Sequence, residues 1–191
     1  MHRIVVAIAA TLVTMLSSAV HADANRGAQY TASCAHCHGI EGNSSADQYP
    51  NIASQQKEYL YRQLKAFKEG TRKDPMMSPM VGVLDDQAMR DVADFYFSKD
   101  SAKQKTVPDP AKAAAGKKIA VERICATCHL PTYKGQNEFP KLTRQKLPYL
   151  AKQLTAFRDG TRANDGGVMA ASVKGLTDAE IEALAHFLSS L

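Results

Sequence analysis

Two five-residue runs, Cys34-Ala35-His36-Cys37-His38 and Cys125-Ala126-Thr127-Cys128-His129, hold all four cysteines of this 191-residue chain. Each reads Cys-x-x-Cys-His, the spacing that attaches a c-type haem. Thiols at i and i+3 share one side of a helical turn, so both can add to the two vinyl groups of one porphyrin. The histidine that follows then rises beneath the iron as its proximal ligand. Other uses of the pattern fit less well. A thioredoxin-like redox pair should follow a strand in a βαβ unit, and no such strand precedes either run. A zinc site built from both thiol pairs would leave both histidines unexplained and would have to bridge two self-sufficient halves. Plain disulfides leave the histidines unexplained too.

The two runs belong to a longer repeat. Residues Tyr59–Arg72 match Tyr149–Arg162 at nine of fourteen positions, and three further positions keep their charge. The haem motifs lie 91 residues apart, these segments 90, and the last helices 92, so two units are related by duplication with very small insertions. Each unit has about 80 residues and a thin supply of apolar side chains, for which a covalent haem is the natural filling.

Met1-His2-Arg3 followed by the apolar run Ile4–Val20 has the layout of a secretory signal, with small-residue cleavage sites around Ala22. An uncleaved anchor is the alternative, at the short edge of what spans a bilayer. Cleavage is the reading preferred, giving an exported, periplasmic protein that is at most peripherally membrane-associated. Residues 23–105 carry 11 Lys/Arg against 11 Asp/Glu, and residues 106–191 carry 12 against 8, so the excess positive charge sits in the second half. The basic residues lack aromatic interleaving, which excludes nucleic acid as the expected partner. A dipole that orients the protein on a redox partner and plain surface scatter both remain open.

Helical periodicity and end signals divide the units. The first should open with a helix at about Asn25–Cys34 and continue through a polar loop to Pro50. A helix at about Gln56–Glu69 follows, with Leu60, Leu64 and Phe67 on one face and Gly70 as its left-handed cap. A Met-bearing loop over Thr71–Leu84 then leads to a helix capped by Asp85, with Met89, Val92 and Tyr96 inward. Asp109-Pro110 is a helix start after a polar linker, residues 101–109. Residues Leu147–Asp159 form the next helix, stopped by Gly160. Thr177-x-x-Glu180 is a capping box for a last helix with Ile181, Leu184, Leu188 and Leu191 inward. The expected organisation is therefore a signal over 1–22 and domains over 23–100 and 110–191, all of it helical.

His38 and His129 supply one axial bond per iron, and the sixth ligand decides what each centre does. Methionine sulfur is soft, favours reduced iron and raises the potential. Met169 is the only methionine of the second unit. Aligning Leu84 with Leu176 sets Met77 opposite Met169, with Met76 and Met80 as rivals in the first unit. His36 and His186 are weak candidates, and His2 and His21 leave with the signal. A ligating histidine normally passes its other ring proton to a carbonyl. Pro50 and Pro140 lie 12 and 11 residues after their histidines, and either supply that carbonyl or simply make turns.

With these residues assembled, the chain resembles class I cytochromes c twice over. More narrowly it resembles the di-haem cytochrome c4 family, over essentially the whole mature length. The resemblance implies two tandem cytochrome c domains, each wrapped around one covalent haem c, related by a pseudo-twofold axis. It also implies a non-enzymatic electron carrier between a cytochrome bc complex and a haem–copper oxidase. The iron ligands would be His38 with Met77 and His129 with Met169, and the thioether positions Cys34, Cys37, Cys125 and Cys128. The rival roles are the cytochrome subunit of a sulfide- or thiosulfate-oxidising dehydrogenase, a di-haem thiosulfate dehydrogenase or peroxidase, and haem storage or sensing.

Overall fold

The computed structural model describes residues 22–103 and 105–191; the expected signal segment lies outside them. Among the described residues ten α-helices make two copies of one arrangement. In the first copy α1 (Ala24–Gly27) passes through a 3-10 turn into α2 (Ala32–His38), followed by α3 (Lys57–Glu69), α4 (Met77–Gly82) and α5 (Asp86–Phe97). In the second, α6 (Pro110–Glu122) precedes α7 (Ala126–His129), α8 (Leu147–Arg158), α9 (Val168–Val173) and α10 (Asp178–Ser189). Among the described residues the one β-type pairing is an isolated bridge between Gln136 and Phe139.

Local chemistry sets the helix ends. Asp85 accepts from the Ala88 N–H, and Asp109 accepts from the Ala111 and Lys112 N–H groups with Pro110 in the first turn. Thr177 and Glu180 form the reciprocal capping box. Gly70 closes α3 at φ 74°, and Gly160, at φ 71°, follows α8.

Three expectations need correction. The opening helix is not continuous: Thr31 turns its hydroxyl back onto the Ala28 carbonyl at 2.9 Å, and α2 starts afresh to carry the cysteines. The methionine segments are not plain loops, because each contains a short six-residue helix, α4 or α9. Leu191 follows the end of α10 and is exposed.

Each copy has its own apolar cluster. Leu60, Leu84, Met89, Val92, Phe95 and Tyr96 build the first, and Leu150, Leu154, Phe157, Ile181, Leu184 and Phe187 dominate the second. The first and last helices of each copy cross at a glycine. A Cβ on Gly27 would stand 2.1 Å from the Asp91 carbonyl oxygen, and one on Gly116 only 2.0 Å from that of Ala183. Only glycine permits two backbones this close.

Asp91 adds a polar clasp to the first crossing. Its carboxylate, in a residue only 2% exposed, accepts from Arg26 Nε at 2.9 Å, the Asp23 N–H at 2.7 Å and Gln87 Nε2 at 2.8 Å. Burial alone would raise its pKa, but the Arg26 bond and its companions hold it below the ordinary carboxylate value. A depressed folded-state pKa contributes stability that is complete at neutral pH and fades as pH falls below the usual carboxylate range. Asp91→Ala should therefore cost about 2 kcal/mol, because it removes three hydrogen bonds, one of them from a guanidinium, to a buried carboxylate. The same substitution should flatten the acid limb of a denaturant-midpoint-versus-pH profile.

Candidate haem sites and the face between them

Both motif histidines sit at the end of a short helix, followed by a residue that reverses the chain. Gly39 has φ 78° and Leu130, its counterpart, φ 66°. His38 and His129 are buried, and each Nδ1 lies 2.9 Å from a proline carbonyl, Pro50 and Pro140 respectively. A carbonyl can only accept, so Nδ1 carries the proton and Nε2 keeps its lone pair. Burial pulls both imidazoles below their ordinary pKa, which keeps them in the neutral, ligating form. The duller reading of Pro50 and Pro140 as mere turn formers is set aside by these two bonds.

None of the four cysteines is in a disulfide. Cys34 packs against the first apolar cluster and Cys125 against the second, and burial pushes both thiols above their usual pKa. The pairs thus stand in separate domains, one against each apolar cluster, an arrangement suited to two separate porphyrins rather than to one shared metal centre.

The methionine segments share a device that sequence alignment alone does not show. Asp74 accepts from the Met77 N–H at 3.1 Å, and Asp165 from the Met169 N–H at 2.6 Å. The intervals are three and four residues, the extra one absorbed by the left-handed pair Gly166 and Gly167. Met169 packs against the second apolar cluster and Met77 is half-buried, whereas Met76 and Met80 are 57% and 41% exposed. His36 is exposed. His186 has a structural task instead, since its Nδ1 accepts from the Asp109 N–H at 3.0 Å and ties α6 to α10.

The domains meet through polar groups arranged with pseudo-twofold symmetry. Arg72 donates to Gln63 of its own domain and to Tyr149 and Gln153 of the other, at 2.8, 3.1 and 3.0 Å. Arg162 mirrors it, donating to Gln153 at 2.6 Å and across to Tyr59 and Gln63 at 3.0 and 2.9 Å. These two buried guanidinium groups make no ion pair with a carboxylate among the described residues. Buried cations call for anions, and two haems bring four propionates. The thiols, the neutral imidazoles, the methionines and this unneutralised charge together fit covalent haem.

Sequence reading alone missed this face. Its signal was present in the repeat, where Tyr59, Gln63 and Arg72 recur unchanged as Tyr149, Gln153 and Arg162.

Fold and site together define an all-helical di-haem cytochrome, made of two c-type domains in tandem and built to transfer electrons. The family model for cytochrome c matches residues 24–96 and 113–191. Cytochrome c4 of Stutzerimonas stutzeri is 34% identical over the full length of both chains. The crystal structure of reduced recombinant cytochrome c4 from Pseudomonas stutzeri superposes with a TM-score of 0.83 at 35% identity, covering 89% of this chain and 99% of that one. The thiosulfate dehydrogenase electron acceptor of Thiomonas intermedia is 34% identical over 83% of this chain and 78% of its own. The chain belongs to the cytochrome c4 family, and with it carries two covalently bound haem c groups.

Proposed function

We propose that this protein is a periplasmic electron carrier whose two centres are each closed by one histidine and one methionine. The single observation that carries the reading is the pair of 2.9 Å bonds from His38 and His129 to proline carbonyls, made identically in two domains. Each bond fixes the ring's orientation, selects the tautomer and leaves Nε2 as the donor. Cys34 and Cys37 would anchor the first haem and Cys125 and Cys128 the second. Met77 and Met169, held by Asp74 and Asp165, would fill the remaining axial positions. A bound haem would supply a one-electron couple, and these residues would be the ones that hold its iron and raise its potential. With a histidine and a methionine of the protein at each iron no position would be left for a substrate, so the chain would act by outer-sphere transfer and not as an enzyme.

The donor and acceptor proposed are a cytochrome bc-type complex and a haem–copper terminal oxidase. The likeness to a thiosulfate dehydrogenase electron acceptor favours a second donor, an enzyme that oxidises thiosulfate. Export with the signal removed near Ala22 is proposed from the charged start, apolar run and small-residue sites of residues 1–22; among the described residues no helix is long and apolar enough to cross a membrane.

The test is an optical and EPR spectrum of the oxidised, exported protein with a haem count, followed by reduction assays with each donor. Two low-spin haems with the far-red sulfur-to-iron band are expected, with reduction by at least one donor. A haem that is high-spin, or that takes up cyanide readily, would sink the carrier reading.

A further inference from the structure

The two proline peptides that receive the histidine protons do not end there. The carbonyl of Pro50 and the N–H of Asn51 belong to one peptide group, and that N–H donates to Gln145 Oε1 of the other domain at 2.8 Å. Gln145 Nε2 returns a bond to the Asn51 carbonyl, also at 2.8 Å. The second domain repeats the pattern in reverse. The Lys141 N–H, on the same peptide as the Pro140 carbonyl, donates to Gln55 Oε1 at 2.7 Å, and Gln55 Nε2 donates to the Lys141 carbonyl at 2.9 Å.

Both glutamines are themselves braced. Each amide oxygen also accepts the N–H of the next residue, Gln56 at 2.9 Å and Lys146 at 3.0 Å, which fixes which end of the amide faces across the interface. The residue before each glutamine is a non-glycine in the left-handed region, Ser54 at φ 55° and Arg144 at φ 57°. Such turns cost about 1 kcal/mol or more each. Two equivalent, unfavourable turns that both aim a glutamine at the neighbouring domain are hard to explain as packing.

We propose that Gln145 and Gln55 are positioning residues for the iron-ligating histidine of the opposite domain, acting through one peptide group each. The relay runs from histidine Nδ1–H to proline carbonyl, through the peptide, and from its N–H to glutamine. Hydrogen bonds in series polarise one another. A glutamine pulling on the N–H makes the carbonyl a better acceptor, which gives the imidazole more anionic character and favours ferric iron. Each domain thereby lowers the potential of its neighbour's centre.

The inference rests on His38 and His129 being iron ligands, so the measurement is made on full-length holoprotein with the wild type alongside. The variants are Gln145→Leu, Gln145→Glu, Gln55→Leu and, as an interface control, Gln56→Ala. The control removes only the cross-domain bonds from Gln56 to the Lys134 and Gly135 carbonyls, at 3.0 and 3.2 Å. Spectroelectrochemical titration gives the two potentials, and the Nδ1–H proton resonances of His38 and His129 assign each shift to a centre.

Gln145→Leu should raise the potential of the first-domain centre, shift only the His38 resonance, and change the ferric-to-ferrous ratio severalfold at a fixed potential. Gln55→Leu should do the same at the second. Gln145→Glu should lower the first potential or leave it at the wild-type value, and Gln56→Ala should leave both alone. Equal shifts at both centres, an equal rise with Leu and Glu, or no shift would overturn the relay while leaving the carrier reading intact. A wild type without low-spin, histidine-ligated haem would overturn both.

Discussion

Replacing Met169 with alanine should turn the second centre high-spin, halve the far-red sulfur-to-iron band and lower that centre's potential. The drop should be on the order of 0.1 V or more, a modest part of the ~0.8 V range over which axial ligands set haem potentials. Met169 is the only methionine of its domain, packs against the apolar cluster and has its N–H fixed by Asp165, so no other sulfur can take its place. Met77→Ala should remove the other half of the band. Met76→Ala and Met80→Ala should leave the spectrum unchanged, because both side chains are exposed while Met77 is half-buried on the counterpart of the Asp165 turn. A spectrum that responds to Met76 or Met80 instead would reassign the first ligand. Magnetic circular dichroism and potentiometry on the four variants decide the matter.

Gly116→Val should cost the second domain its haem. The added Cβ would meet backbone atoms, the Ala183 carbonyl at 2.0 Å and the Leu184 nitrogen at 2.9 Å, so no rotamer change can relieve it. The helices α6 and α10 must part by roughly an ångström, the gap between such contacts and ordinary van der Waals separation. That movement opens the cluster holding Cys125 and Met169. Overpacking of this kind costs about 3 kcal/mol, the upper part of the usual range, a large share of what so small a domain has to lose. The expected readout is a haem count falling from two to one in protein that still shows the first-domain spectrum. Gly82→Ala is the matched control. No atom beyond its chain neighbours and its own helix backbone lies within 4 Å of the added Cβ, so it should be neutral or gain about 0.5 kcal/mol from helix propensity. A two-haem Gly116→Val protein with wild-type stability would show that the crossing does not hold the domain together.

What the sequence revealed and what it hid divide along the range of the interaction. Asp109-Pro110, Thr177 with Glu180, and Gly70 state their roles within four residues, because capping is chemistry between near neighbours. The haem motif is equally local. The short helices α4 and α9 were hidden because six residues complete less than two turns, too few for periodicity to register. The break at Thr31 escaped notice because a hydroxyl folding back three residues competes with the helix without any change in polarity. Gln55 and Gln145 carry no local signal at all. Their partners are 86 and 94 residues away, and a buried glutamine looks the same in sequence as one facing water.

The face between the domains is its own complement. Gln145 does to Asn51 what Gln55 does to Lys141, and Arg72 does to Tyr149 what Arg162 does to Tyr59. Self-complementarity is the signature of a twofold dimer of identical subunits, in which every substitution appears twice and every change is tested at two places together. Joining the copies in one chain removes that constraint. Position 51 is asparagine while its counterpart 141 is a lysine, whose ammonium donates to the Ala53 carbonyl at 3.1 Å. Burial, Arg144 and Lys134 lower the pKa of that lysine to about 8. Position 56 is glutamine and 146 a lysine reaching Asp47. Fusion lets selection set two electron centres to different values by single substitutions while the shared clasps between them stay in place.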